Sequence, residues 1–180
     1  MKIAITGHTS GIGKALSELL SEQGHDIVGL SRRNGYDIKD PSKLIPLISP
    51  CDIFINNAQE RFYQTELLFI MYREWFGVRG KKIINISTFY SSYPSLPTYG
   101  LDWAEYHTQK SALNSAVSNL RAFYEWPKLC LVKPGALNNV SPNTADVTEW
   151  CRRLIQILNM DSDIMLEEVS LNFDFLENKR

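Results

Sequence analysis

The sequence predicts an α/β fold, a doubly wound parallel sheet with helices on both faces, and three observations carry that prediction. Short β-branched runs alternate with longer helical stretches along the 180 residues, the pattern of parallel strands joined by crossover helices. The run at residues 52–55 (DIFI) is apolar almost throughout, as a strand buried on both faces should be. No internal repeat, low-complexity tract or charge block interrupts the alternation, so residues 1–180 are expected to form one domain.

Each element follows from its local pattern. Residues 2–6 (KIAIT) read as a buried strand. Residues 12–23 read as a helix with Ile12, Ala15, Leu16, Leu19 and Leu20 on one face, and Gly24 sits where a C-terminal glycine should end it. Residues 26–30 (DIVGL) form a second strand, 42–48 a short helix and 52–55 a third strand. Residues 62–76 look helical and stop before Gly77 and Gly80, and 82–86 (KIINI) form another strand. A Ser/Tyr/Pro loop leads to a long helix near 102–125, halted ahead of Pro127; a strand at 129–132, a helix at 145–158 and a last strand at 168–173 complete the pattern.

Composition excludes several classes. With 44% hydrophobic and 22% charged residues, the chain has enough apolar material to bury a sizeable core. Nineteen basic and twenty acidic residues give a net charge of −1, so no global basic field is available for nucleic acid or an anionic membrane. The longest unbroken apolar run, residues 67–71, is far short of the roughly 20 residues that span a bilayer. The opening MKIAITGHTS turns polar and glycine-rich too early for a signal-peptide core. Cys51, Cys130 and Cys151 are odd in number and widely spaced, with no CxxC pair, so they read as reduced thiols in a cytoplasmic protein with no metal site.

A doubly wound sheet binds ligands beyond the carboxyl ends of its strands, so chemistry is sought just after each strand. Gly7, Gly11 and Gly13 (TGHTSGIG) follow the first strand and open the first helix, where backbone N–H groups can approach a diphosphate. The GxxxGxG spacing is not the standard dinucleotide fingerprint, and a P-loop would need glycine at His8 and Ser or Thr at Ala15. The lesser alternative is a tight strand-to-helix connection with no ligand. After the second strand, Leu30-Ser31-Arg32-Arg33 carries no carboxylate for a ribose 2′-hydroxyl but two guanidinium groups able to clamp a 2′-phosphate. Tyr106 and Lys110 lie four apart on the long helix and share a face. A lysine there is expected to lower the tyrosine pKa and make it a proton donor to a carbonyl, or an acceptor from an alcohol.

The order TGxxxGIG, Asn56-Asn57-Ala58, Asn85-Ile86-Ser87-Thr88, YxxxK and Pro134-Gly135 runs over most of the chain. In this the sequence resembles the short-chain dehydrogenase/reductase family, which implies a Rossmann-like, three-layer α/β/α fold. The resemblance implies that the loop of Gly7, His8, Thr9, Ser10, Gly11, Ile12 and Gly13 holds a pyrophosphate. It places Ser31, Arg32 and Arg33 at the adenosine ribose, Asp37 and Ile38 at the adenine, and Asn57 and Ala58 along the adenosine side. Tyr106 would be the general acid/base, and Lys110 would bind the nicotinamide ribose. Thr88 would polarise the substrate carbonyl, with Ser87 just before it and Ser91 or Ser92 as lesser substitutes. Pro134 and Gly135 precede Leu137 and Asn139, which would meet the nicotinamide carboxamide. NADP(H) is expected ahead of NAD(H). In the family, the counterpart of the apolar 67–75 helix forms a homodimer interface with the Tyr/Lys helix.

The chain also departs from that pattern. Family members run to roughly 250 residues, an ordinary size for one α/β domain. Here residues 33–52 leave room for one short helix and at most a strand stub near 36–38. Counting back from Thr88, the family's active-site asparagine falls near Glu60; Gln59, Glu60 and Gln64 are the alternatives for holding the relay water. The segment after Asn139 goes almost directly into a helix, so the substrate lid is reduced or absent. The longer 88–106 loop carries Phe89, Tyr90, Tyr93, Tyr99 and Trp103, either as an apolar wall for a ring-shaped ligand or as cover for the sheet end. His107 points to a different helix face from Tyr106 and reads as packing.

The first expectation is an NADP-dependent oxidoreductase acting on a small-molecule carbonyl or alcohol. The alternative keeps the dinucleotide site without turnover, as an NADP sensor or partner-binding protein. A nucleotide-sugar epimerase or dehydratase comes last, since about 40 residues after Asn139 cannot build a substrate domain.

Overall fold

The computed structural model describes residues 1–92, 100–123, 126–135, 137, 146–158 and 166–171. In chain order the elements are β1 (Lys2–Thr6), α1 (Gly11–Glu22), β2 (Asp26–Leu30), α2 (Pro41–Ile48), β3 (Ile53–Asn56) and α3 (Tyr63–Glu74). They continue with β4 (Lys82–Ile86), α4 (Gly100–Arg121), β5 (Lys128–Pro134), α5 (Val147–Leu158) and β6 (Glu168–Leu171). Short 3-10 turns at Arg32–Asn34 and Phe89–Ser92 follow β2 and β4.

The strands form one six-stranded sheet in the order β2-β1-β3-β4-β5-β6, every pair parallel. Alternation along β3 explains its unbroken apolar sequence, because successive side chains leave a strand on opposite faces. Phe54 enters one core with Leu68 and Met71 of α3, Trp75 just past its end, and Leu113 and Val117 of α4. Ile53 and Ile55 enter the other, with Leu16 and Leu20 of α1 and Trp150 and Leu154 of α5. The doubly wound, three-layer architecture is therefore as expected. Of the apolar residues in the 67–75 stretch, Leu67, Leu68, Met71, Tyr72 and Trp75 are buried in the intrachain core, while Phe69 and Ile70 are half-buried. Trp75 Nε1 donates to Ser49 O at 3.2 Å, and Tyr72 Oη donates to Leu120 O at 3.2 Å, tying α3 to α2 and α4.

One expected feature is corrected. Residues 36–38 form no strand; after the 3-10 turn the chain passes directly into α2, and β2 is left at the sheet edge. Asn34 explains the sharp exit: its Oδ1 accepts from Ser31 N at 2.8 Å, and its Nδ2 donates to Gly29 O at 2.8 Å. Those bonds close the backbone on itself where an extended strand would need it open. The expected ends of the last strand and of the helices near 125 and 145 lie outside the described residues. No helix among the described residues is long and apolar enough to cross a membrane.

The strand order reverses direction at β1, with β2 on one side and β3 on the other. The crevice beyond the carboxyl ends of β1 and β3 is thus the switch point where such sheets bind ligands.

Candidate active site

Thr6 and Asn57 build the floor of that crevice. Thr6 Oγ1 accepts from Asn57 N at 2.9 Å and Ala58 N at 3.0 Å, and Asn57 Nδ2 donates to Thr6 O at 2.9 Å. The loops after β1 and β3 are thereby locked together. Gly13 belongs to the same joint, since a Cβ there would stand 2.3 Å from Gly7 O and 2.6 Å from Asn57 Nδ2. Gly11 differs: its φ is +52, and a Cβ would meet nothing within 4 Å, so the first turn of α1 presents open space beside its free N–H groups.

A cavity of about 430 Å³ runs from this loop to the end of β2. Of the expected cofactor residues it gathers Gly7, Thr9, Ser10, Ile12, Ser31, Arg32, Arg33, Asp37, Ile38, Asn57 and Ala58. Gly11, Gly13 and His8 do not line it. His8 instead lays its ring over Gly29 of β2, where a Cβ would fall 2.4 Å from His8 Cδ2, and its Nδ1 is buried with no hydrogen-bond partner. The glycine in β2 is there because the histidine ring occupies its side-chain space. An open α1 terminus, two arginines and a cavity of this size suit the adenosine and pyrophosphate of a dinucleotide.

A second cavity of about 250 Å³ shares Ile12, Asn57 and Gln59 with the first, so the two form one continuous crevice. It is lined by Ser87, Thr88, Tyr106, Lys110, Pro134, Gly135 and Leu137, whereas Asn139 lies outside the described residues. Thr88 hydrogen-bonds Tyr106. Ser87 is committed elsewhere, with its Oγ donating to Asn114 Oδ1 at 2.6 Å while Asn114 Nδ2 donates to Ser91 Oγ at 2.7 Å. Ser91 Oγ in turn donates to Thr88 O at 2.6 Å. Of the neighbouring hydroxyls whose positions are described, Thr88 is therefore the one beside Tyr106.

Lys110 is 3% exposed, and its Nζ donates to Gln64 Oε1 at 2.8 Å and Ile86 O at 2.9 Å. Gln64 is itself held, its Nε2 donating to Asn56 O at 2.7 Å and Ile86 O at 3.0 Å. The three alternatives left open by the sequence are thus separated. Gln64 touches the lysine, Gln59 Nε2 donates to Gln109 Oε1, and Glu60 pairs with Lys39 at 3.2 Å and Arg32 at 3.7 Å. Neither the Gln109 link nor the Glu60 pairs were legible in the sequence, since no local pattern brings these residues together.

The expected electrostatics are reversed. Burial pushes the Tyr106 hydroxyl above its ordinary pKa, and the Thr88 hydrogen bond opposes that shift without overcoming it. Burial also drives Lys110 down to about 7. At neutral pH the lysine is only partly charged, so it supplies a weaker field than a full ammonium. Its Nζ stands 5.8 Å from the Tyr106 ring centroid.

The aromatic residues form a connected series ending at Tyr106. Ring centroids are 6.1 Å apart for Phe89 and Tyr90, 5.7 Å for Tyr90 and Trp103, and 5.6 Å for Trp103 and Tyr106. Tyr93 and Tyr99 lie outside the described residues.

Comparison with known proteins agrees with this architecture. The profile of the NAD dependent epimerase/dehydratase family matches residues 3–69, a span that ends before Thr88, Tyr106 and Lys110. A 3-ketodihydrosphingosine reductase from Bacteroides thetaiotaomicron is 28% identical over 185 aligned positions, covering 82% of this chain and 68% of that protein. Among solved structures, a 3-alpha-hydroxysteroid dehydrogenase from Pseudomonas sp. complexed with NADH superposes with a TM-score of 0.71 at 17% identity, covering 96% of this chain and 95% of that one. A metagenomic short-chain oxidoreductase in complex with NADP gives 0.66 at 18% identity, covering 96% of each. At these identities the structural matches establish the fold.

Proposed function

We propose that this chain is a member of the short-chain dehydrogenase/reductase family and a nicotinamide-dependent oxidoreductase acting on a carbonyl or alcohol, with NADP(H) preferred. The observation that carries the reading is the convergence of Thr88, Tyr106 and Lys110 at one end of a crevice whose other end holds the glycine loop, Arg32 and Arg33. A bound nicotinamide dinucleotide would exchange hydride with the carbon of the substrate carbonyl or alcohol. Thr88 donates a hydrogen bond to the substrate oxygen as negative charge develops there. Tyr106 moves the proton to or from that oxygen, and its burial keeps the hydroxyl protonated at neutral pH, as a donor requires. When protonated, Lys110 has three donors, of which Gln64 and Ile86 take two, leaving one for the pocket.

One observation favours the non-catalytic alternative: Lys110 is already sealed by Gln64 and is partly neutral near pH 7. Titration with NADPH and NADH, followed by a carbonyl-reduction screen with Tyr106→Phe as control, separates the readings. Binding with turnover that Tyr106→Phe abolishes supports the enzyme. Binding without turnover of any carbonyl, unchanged by Tyr106→Phe, supports the sensor, and binding of neither dinucleotide overturns both.

A further inference from the structure

The adenosine end of the crevice contains a carboxylate that the end of β2 lacks. Glu60, from the loop after β3, lines the same cavity as Arg32 and Arg33. Its Oε2 lies 3.7 Å from Arg32 Nη1 and its Oε1 3.2 Å from Lys39 Nζ, so one carboxylate bridges two cations. The backbone holds it there. Tyr63 N donates to Glu60 O at 3.1 Å, and Arg61 has φ +46, the one non-glycine residue with positive φ among the described residues. Such a conformation persists only where the surroundings over-determine it. Glu60 is also 30% exposed at its side chain, enough to move aside for a ligand.

We propose that Glu60 sets the dinucleotide selectivity of this site by standing in for a phosphate: it occupies Arg32 and Lys39, so that a nucleotide's 2′-phosphate binds only by displacing it. The proposal rests on the oxidoreductase reading and adds to it the group that limits NADP(H) preference. Its physical basis is charge. Arg32, Arg33, Asp37 and Glu60 line one cavity and Lys39 pairs with Glu60 from beside it, so Glu60 offsets charge on two of the three cations. A phosphomonoester brings about −1.5 to −2 charges. It gains from the arginines but is repelled by Glu60, whereas a 2′-hydroxyl meets neither effect strongly. The arginine pair read from the sequence therefore overstates the preference for NADP(H).

Calorimetric titration of NADPH and NADH into the wild-type chain, E60Q, R32Q and the double variant tests this. E60Q should bind NADPH about fivefold more tightly, equivalent to roughly 1 kcal/mol at 1.4 kcal/mol per decade, and NADH within about twofold of wild type. On the R32Q background the gain should shrink to less than about twofold, because the released guanidinium is its source. If wild type binds NADPH and E60Q leaves that affinity unchanged, the ion pairs are inert and this proposal alone falls. If E60Q weakens NADH without tightening NADPH, Glu60 holds ribose hydroxyls and the proposal is overturned. If no variant binds either dinucleotide, the oxidoreductase reading falls and takes the proposal with it.

Discussion

Gln64 Oε1 accepts a 2.8 Å hydrogen bond from Lys110 Nζ, joining α3 to α4 across 46 residues of sequence at the end of β4. The carboxamide reads its environment with both ends. Its oxygen faces the amine, while its nitrogen donates to Asn56 O and to Ile86 O, the carbonyl that Lys110 also uses. Of the three residues that the sequence offered for this place, Gln64 is the one in direct contact with Lys110.

Replacing Gln64 with Leu removes the acceptor for a buried amine and the donor for Asn56 O. Leaving such groups unsatisfied costs about 1–3 kcal/mol, more where a charge is involved, so Gln64→Leu should lose about 2–3 kcal/mol of stability. Urea denaturation reads the loss. Gln64→Glu separates position from packing: a carboxylate at this distance favours the charged amine and should raise the Lys110 pKa from about 7.

Lys110 also makes stability depend on pH in a defined direction. Its pKa falls from 10.5 to about 7 on folding, with burial as the cause. Between those values the unfolded chain binds more protons than the folded one, so stability rises with pH across the window. The gain is complete above 10.5 and is lost as pH falls through 7. One proton gives a slope of at most about 1.4 kcal/mol per pH unit. The difference between wild type and Lys110→Met, measured by urea titrations from pH 6 to pH 9, should show that slope. A flat difference would mean that the amine stays charged in the folded chain.

The glycine loop yields a contrast within one turn. Gly13→Ala forces a Cβ to 2.3 Å from Gly7 O, a backbone atom that cannot swing away, so the loops after β1 and β3 must separate. Overpacking of this kind costs about 1–3 kcal/mol or more. Gly11→Ala meets no atom within 4 Å and pays only for its φ of +52, about 1–2 kcal/mol. Gly11 does not line the crevice, so dinucleotide affinity should fall for Gly13→Ala, whose Cβ parts the two loops that floor it, and stay within about twofold for Gly11→Ala. Thermal melts beside nucleotide titrations distinguish the two.

Most of the architecture was legible because it is local. Alternating runs such as KIAIT and KIINI and the helical stripe of Ile12, Ala15, Leu16, Leu19 and Leu20 place strands and helices without knowledge of their partners. The motif positions were legible for the same reason, since all but the Tyr106/Lys110 pair, which shares a helix face, sit at a strand end. What the sequence hid is tertiary. Gln64, Gln59 and Glu60 lie within six residues of each other, yet they reach Lys110, Gln109 and the Arg32–Lys39 pair respectively. That choice depends on where α3 starts relative to α4. The Tyr106 and Lys110 shifts were misread because spacing reports proximity but not burial, and burial is the largest cause of both. The stub near 36–38 failed because Asn34 folds the preceding turn onto Gly29.

The adjacent hydroxyls of Ser87 and Thr88 offer the sharpest functional test. Ser87 Oγ donates to Asn114 Oδ1, and Asn114 continues to Ser91, so Ser87→Ala should cost about 1 kcal/mol of stability by leaving a part-buried acceptor unpaired. Turnover in that variant should stay within about tenfold of wild type, the effect of a small shift in the loop that carries Thr88. Thr88→Val keeps the shape and removes the hydroxyl beside Tyr106. Loss of a donor to a developing oxyanion costs about 10²–10³ in kcat, and Thr88→Val should show that loss with dinucleotide affinity unchanged. It should also raise the Tyr106 pKa further, because the Thr88 hydrogen bond is what opposes the burial shift. Steady-state kinetics with a reducible carbonyl, paired with the alkaline titration of Tyr106 followed by difference absorbance, measures both effects. The opposite ranking, with Ser87→Ala inactive and Thr88→Val active, would move the substrate oxygen to the Asn114 side of the pocket.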